Sequence, residues 1–206
     1  MLIAASAVAA GFLASSAAVA VNPSPPPIVV RVTAAPNVPS SVVAQMLEEV
    51  DAIYRNAGIV FAWRGDGDAF ATLRVVIGNG RGAAHDGETP LGWIIFEDSQ
   101  PTENIHVSYT NAERFMDESV KVSGSVVGMT RFEHDMILGR IAGRALAHEL
   151  GHYLLATKAH TRTGLMKASR SAHELVAIGR TYFQIDPAQR AQMLARQQRG
   201  NMVAAR

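Results

Sequence analysis

The segment EHDMILGRIAGRALAHELGHYLLAT, Glu133 to Thr157, limits the folds open to this chain more than any other stretch. Leu138, Ile141, Ala145, His148, His152 and Leu155 step by three and four, so a helix places them on one stripe. Ala142, Leu146, Leu150 and Leu154 form a second stripe at steps of four. A helix that is apolar around much of its circumference must be central, with other elements layered about it. Gly139, Gly143 and Gly151 each cost about 1 kcal/mol of helix propensity, which points to another backbone packing close by. Thr130 and Glu133 have the spacing of a capping box that opens this helix.

The elements before it are short. Ile28–Thr33 is β-branched and reads as a strand. Pro39-Ser-Ser supplies a cap for a helix through Asn56, with Val42, Val43, Met46, Leu47, Val50 and Ile53 on its apolar face. Further strands are expected at Ile59–Trp63, Ala71–Ile77, Leu91–Phe96 and Ile105–Tyr109. Thr110-x-x-Glu113 has capping-box spacing for a short helix. After the central helix, a helical stretch is expected from Ser171 to about Tyr182, and another is opened by Asp186-Pro187. The expected fold class is therefore α+β: five strands, a long central helix and C-terminal helices. At 206 residues and 48% hydrophobic, the chain suits one domain with a real core, spanning 28–206.

The first twenty residues carry no charged side chain and end in Ala18-Val19-Ala20, an A-x-A cleavage pattern. Residues 1–20 are read as a signal peptide and 21–27 as a proline-rich linker, which implies a secreted or periplasmic protein. No later apolar run is long enough to span a bilayer. The net charge of +1 gives no electrostatic case for a nucleic-acid partner. The chain has no cysteine, so a transition-metal site must be built from His, Asp and Glu.

His148 and His152 provide the start of one. At i and i+4 their Cβ atoms stand about 5–6 Å apart, and both imidazoles can converge on an ion about 2.0–2.1 Å from each nitrogen. Glu149 leaves the helix beside the pair, placed to hydrogen-bond a water at the metal without ligating the metal. Zinc acidifies such a water and polarises a scissile carbonyl, and Glu149 is the candidate general base and acid. Two core histidines and a neighbouring carboxylate without a metal would need polar partners that an apolar stripe does not offer. His173-Glu174-Leu175 repeats the local text of His148-Glu149-Leu150, but Ala177 stands where the second histidine would be.

With His160 and the following Thr163-Gly164-Leu165-Met166, these residues resemble the metzincin clan of zinc endopeptidases. That clan carries His-Glu-x-x-His-x-x-Gly-x-x-His and a methionine-containing turn beneath the metal. The order of strand, helix, four strands and active-site helix is similar as well. The resemblance implies a twisted, mostly parallel five-stranded sheet with an antiparallel edge strand. It assigns Leu91–Phe96 to that edge, where a peptide or protein substrate would lie. It also implies zinc held by His148, His152 and His160, catalysis through Glu149, and Met166 shaping the floor. The clan's glycine would fall at Leu155 and its third histidine at Lys158. A helix running about a turn further, with two extra residues in the return, would compensate. The competing third ligand is Glu174, at the distance and on the kind of element used by thermolysin-like peptidases.

Two other functional readings remain open at this stage. One is a zinc amidase acting on cell-wall or other non-protein amides. The other is a secreted metal-binding module without catalysis, although a structural site usually has four protein ligands and three are in view. Arg64-Gly65-Asp66 is read as a plain turn and His85, Asp86 and Glu88 as a solvated loop. His106 and His134 have no ligand spacing.

Overall fold

A computed structural model describes residues 25–65, 71–82, 89–123 and 128–204, with backbone only for 120–123 and 199–204. The expected signal segment, most of the linker and the His85-Asp86-Glu88 loop lie outside the described residues. Strands β1 (Ile28–Ala34), β2 (Phe61–Arg64), β3 (Leu73–Gly78), β4 (Gly92–Glu97) and β5 (Gln100–Ser108) form one sheet in the order β2-β1-β3-β5-β4. The β2/β1, β1/β3 and β3/β5 pairs are parallel, and β4 pairs antiparallel to β5 at the edge. This is the expected α+β sheet.

The alternation in β3 is clean: Leu73, Val75 and Ile77 are buried while Arg74 and Val76 face outward. Ile105 and Val107 of β5 continue the buried face beside Val75 and Ile77. Strand β5 begins five residues before the expected start. Its first half, Gln100–Asn104, is polar and lacks strand chemistry, but a tight turn through Asp98 and Ser99, both at positive φ, folds it back onto β4. A register shift between Ile94 and Phe96 bends the edge strand.

Helix α1 (Ser40–Arg55) buries Val42, Met46, Val50 and Ile53 as its periodicity requires. The expected serine cap does not form. Pro39 is the N-cap without a side-chain bond, and Ser41 Oγ instead donates to Asp135. Helix α2 (Tyr109–Ser123) starts at the residue expected to end β5. Its first turn is capped by Ser108, whose Oγ accepts the Asn111 N–H, while Thr110 Oγ1 donates to Asn79.

Helix α3 (Arg131–Leu155) is the central helix, opened by the Thr130/Glu133 capping box. It packs against α1 through glycine. A Cβ at Gly139 would lie 2.9 Å from the Val42 carbonyl oxygen, and one at Gly143 would lie 2.7 Å from that of Met46. The close-backbone expectation holds at both positions. We expect Gly143→Val to destabilise the fold by at least the roughly 1–3 kcal/mol of ordinary overpacking, because the obstacle is backbone. Urea titration of the variant checks this; an unchanged midpoint would contradict the packing.

Helix α4 (Ala172–Val176) is much shorter than the stretch expected from Ser171 to Tyr182. Ser171 and Glu174 do form a capping box. At its last turn and just after it, the carbonyls of Glu174, Leu175 and Gly179 accept from Arg144, and that of Val176 accepts from Arg140. Arginines of α3 take the place of further helical N–H donors, and only a 3₁₀ turn, Thr181–Phe183, follows. Helix α5 (Pro187–Ala204) opens as expected, with Asp186 Oδ1 accepting the Gln189 N–H. Gln192 of α5 donates to the Leu155 carbonyl and so caps the end of α3. Among the described residues, no helix is long and apolar enough to cross a membrane.

Candidate metal centre

His148 and His152 lie one turn apart near the end of α3, with ring centroids 4.6 Å apart. His160 comes back to them from the following loop, its ring 5.2 Å from His148 and 4.9 Å from His152. One ligand nitrogen from each ring lies within 4.8 Å of the others. Among the described residues this is the one cluster of three or more metal-ligating side chains.

The loop achieves this without the clan's glycine. Helix α3 stops at Leu155, not a turn further, and Ala156 takes the left-handed conformation (φ 50°, ψ 46°). The turn thus falls one residue after the clan's glycine position, and the third histidine two residues after its usual place. Thr157 stabilises the reversal: its N–H donates to the His152 carbonyl, and its hydroxyl accepts the Ala159 N–H at 3.0 Å. Lys158, at the usual third-histidine position, points its Nζ over the Phe96 ring at 5.1 Å.

The donor chemistry fits a cation. His148 Nδ1 lies 3.0 Å from the Leu165 carbonyl oxygen and His152 Nδ1 lies 2.7 Å from that of Thr157. A carbonyl can only accept, so both Nδ1 atoms carry the proton and both Nε2 atoms carry a lone pair. Those two Nε2 atoms are 3.0 Å apart. With no proton between them they repel, and a cation bridging both lone pairs relieves the clash. Two nitrogens at 2.0–2.1 Å from one tetrahedral ion stand about 3.3 Å apart, close to this spacing. Burial, with His152 adding to it, pushes the His148 imidazole down to about 3. Burial also lowers His152 and His160, so all three rings are neutral donors at neutral pH.

Glu149 is buried beside the cluster and accepts a hydrogen bond from the Ile94 N–H of β4. Burial pushes its carboxyl up to about 8, and the Ile94 bond opposes that rise. Gly92 leaves room for it: a Cβ there would lie 3.2 Å from Glu149 Cγ. The outermost strand therefore touches the carboxylate directly, and Phe96 of the same strand sits 6.4 Å edge-on from His152. Tyr54, fully buried, donates to the Ala147 carbonyl at 2.8 Å and holds the turn that presents His148.

Met166 is buried beneath α3. A Cβ at Gly151 would fall on its Sδ, so this third glycine admits a side chain and not a backbone, unlike Gly139 and Gly143. The turn carrying Met166 closes through Thr161 N–H to Met166 O at 2.8 Å and Leu165 N–H to Gln184 O at 2.8 Å. Glu174 is not in the cluster. Its carboxylate binds Lys167 Nζ at 2.8 and 2.9 Å and accepts the Ser171 N–H at 2.9 Å. Those bonds, Lys167 first, hold its carboxyl down at about 2. Sequence reasoning missed Thr157 and Arg170, which act through backbone carbonyls and leave no spacing signal.

No protein-family model matches this chain, and no curated protein matches it either, so the reading of function rests on the geometry.

Proposed function

We propose that the chain is a zinc-dependent endopeptidase of metzincin type, acting outside the cytoplasm once residues 1–20 are removed. The observation that carries this reading is the pair of bare Nε2 atoms at 3.0 Å, with His160 closing the third side and Glu149 buried next to them. His148, His152 and His160 would hold the metal. Three imidazoles and no thiolate suit zinc in a site with an open position. When bound, zinc supplies Lewis acidity that acidifies water and polarises a carbonyl.

The chain's own residues do the rest. Glu149 takes the proton of the attacking water and returns it to the leaving nitrogen. The Ile94 N–H holds that carboxylate in place, and a cation nearby favours its ionised form. Among the described residues the outer edge of β4 has no partner strand, so an extended peptide can add to it by main-chain pairing. Such a peptide runs past both Glu149 and the histidines. Met166 packs under the ligand-bearing turn and shapes the floor.

Metal analysis of the purified protein tests the ligand set. We expect one zinc per chain in wild type, loss of zinc in His160→Ala, and retention in Glu174→Ala, whose carboxylate is spent on Lys167 and Ser171. The reverse pattern would overturn the assignment. Incubation with casein and with a muropeptide preparation, side by side, separates peptidase from cell-wall amidase. Cleavage of the muropeptide alone would replace the present reading with the amidase.

A further inference from the structure

Resting on the three-histidine metal reading, we propose that Arg170 is a positioning residue that orients the His148 ring through the carbonyl of Leu165. That oxygen accepts from two donors at once: His148 Nδ1 at 3.0 Å and Arg170 Nη2 at 3.0 Å. The same Nη2 also donates to the Gly164 carbonyl, and Nη1 donates to that of Tyr182 at 3.1 Å. The guanidinium lies over the face of Phe183, 4.0 Å from its centre, and the side chain is only 7% exposed. One arginine therefore gathers three carbonyls from two segments, and one of the three is the acceptor that sets a ligand's tautomer.

The arrangement has two physical consequences. The first is geometric. Within the turn, the Leu165 N–H ties the 164–165 peptide to Gln184, and the Arg170 bond to the Leu165 carbonyl fixes the next peptide, 165–166, and with it the direction of the acceptor. A histidine ligand whose second nitrogen loses its partner loses its preferred tautomer and ring orientation. The second is electrostatic. Many such partners are carboxylates, which draw the proton and make the ring a stronger donor. Here a carbonyl shared with a cation draws the Nδ1 proton only weakly, so His148 would meet a metal as a neutral imidazole, a weaker donor than one backed by a carboxylate. Glu174, 3.9 Å from Nη1, offsets the buried charge without touching the ring. Lysine cannot replace this function fully, because one ammonium cannot span the three carbonyls in a fixed plane.

The test uses the full chain as Arg170→Ala, Arg170→Lys and, as a control, Arg180→Ala. Arg180 holds Glu49 through its side chain and makes no side-chain bond to the turn. Zinc affinity is read by competition with a chromogenic chelator. The His148 tautomer is read in metal-free protein by long-range nitrogen–proton NMR. We expect zinc binding about 10- to 100-fold weaker in Arg170→Ala, the range seen when such supporting partners are removed, with Arg170→Lys in between. We expect the wild-type Nδ1–H tautomer to give way to a mixture in the alanine variant. Arg180→Ala should lower the unfolding midpoint and leave both readouts unchanged. Wild-type affinity and tautomer in both Arg170 variants would overturn the proposal, as would an equal loss of zinc in Arg180→Ala. Should the alanine variant not fold, the lysine variant decides. A wild-type protein that takes up no zinc would sink the metal reading, and the tautomer comparison, made without metal, still decides the role of Arg170.

Discussion

Glu149→Gln should leave zinc at its wild-type level and lower peptide hydrolysis by about 10²–10⁴-fold, the usual contribution of a positioned general acid–base group. Glutamine matches glutamate in volume, and its carbonyl oxygen can still accept the Ile94 N–H, so the cleft wall at β4 stays as it is. His148 and His152 keep their own carbonyl partners, Leu165 and Thr157, and those bonds do not pass through residue 149. What disappears is one atom able to take a proton from water. Measuring zinc stoichiometry beside the rate is what gives the experiment its force. Loss of both would mean that Glu149 supports the site structurally. An unchanged rate with zinc in place would remove it as the base.

The second large effect is expected far from the cleft. Glu49 and Arg144 pair at 2.8 Å with both side chains fully buried, joining α1 to α3. The other oxygen of Glu49 takes Arg180 at 2.7 Å. Arg144 spends its remaining donors on the carbonyls of Glu174, Leu175 and Gly179, and its guanidinium lies 4.6 Å from the centre of the Phe183 ring. Truncating one member of such a pair strands a charge out of reach of water, at a typical cost of about 3–5 kcal/mol. We therefore expect Glu49→Ala to lose stability in that range, a large part of the roughly 5–15 kcal/mol that holds an ordinary domain folded. Arg144→Met should cost less than the removal of Glu49, because Arg180 still neutralises the carboxylate. Chemical denaturation of the two variants gives the comparison. Equal and small losses would show that the pair is not a support of the fold.

These two residues show how far local pattern reaches. Glu49 stands among the apolar positions of α1, and nothing near it in sequence says that it is buried. Its partner Arg144 is ninety-five positions away. The same network explains the misjudged helix after Ser171. Residues 171–182 have acceptable helix chemistry, and the helix does start after Ser171, but carbonyls claimed by Arg140 and Arg144 halt it at Val176. Local propensity is worth tenths of a kcal/mol per residue, and an anchored buried guanidinium outweighs it.

The amino-acid sequence by itself determined whatever depends on periodicity and short spacing. The apolar stripes made α3 the central helix, and its place on that helix put His148 and His152 on one face with Glu149 beside them. Alternating and β-branched runs located five strands, and Thr130, Ser171 and Asp186 marked three helix starts. Only the tertiary structure shows that His160, and not Glu174, comes to the helical pair. That choice turned on a left-handed Ala156 and on Lys167 and Ser171 having already occupied the rival carboxylate. A helix repeats every few residues and writes its faces into the chain. A candidate ligand delivered by a loop depends on where that loop is tied down, and the ties here come from carbonyls and arginines that no spacing rule connects.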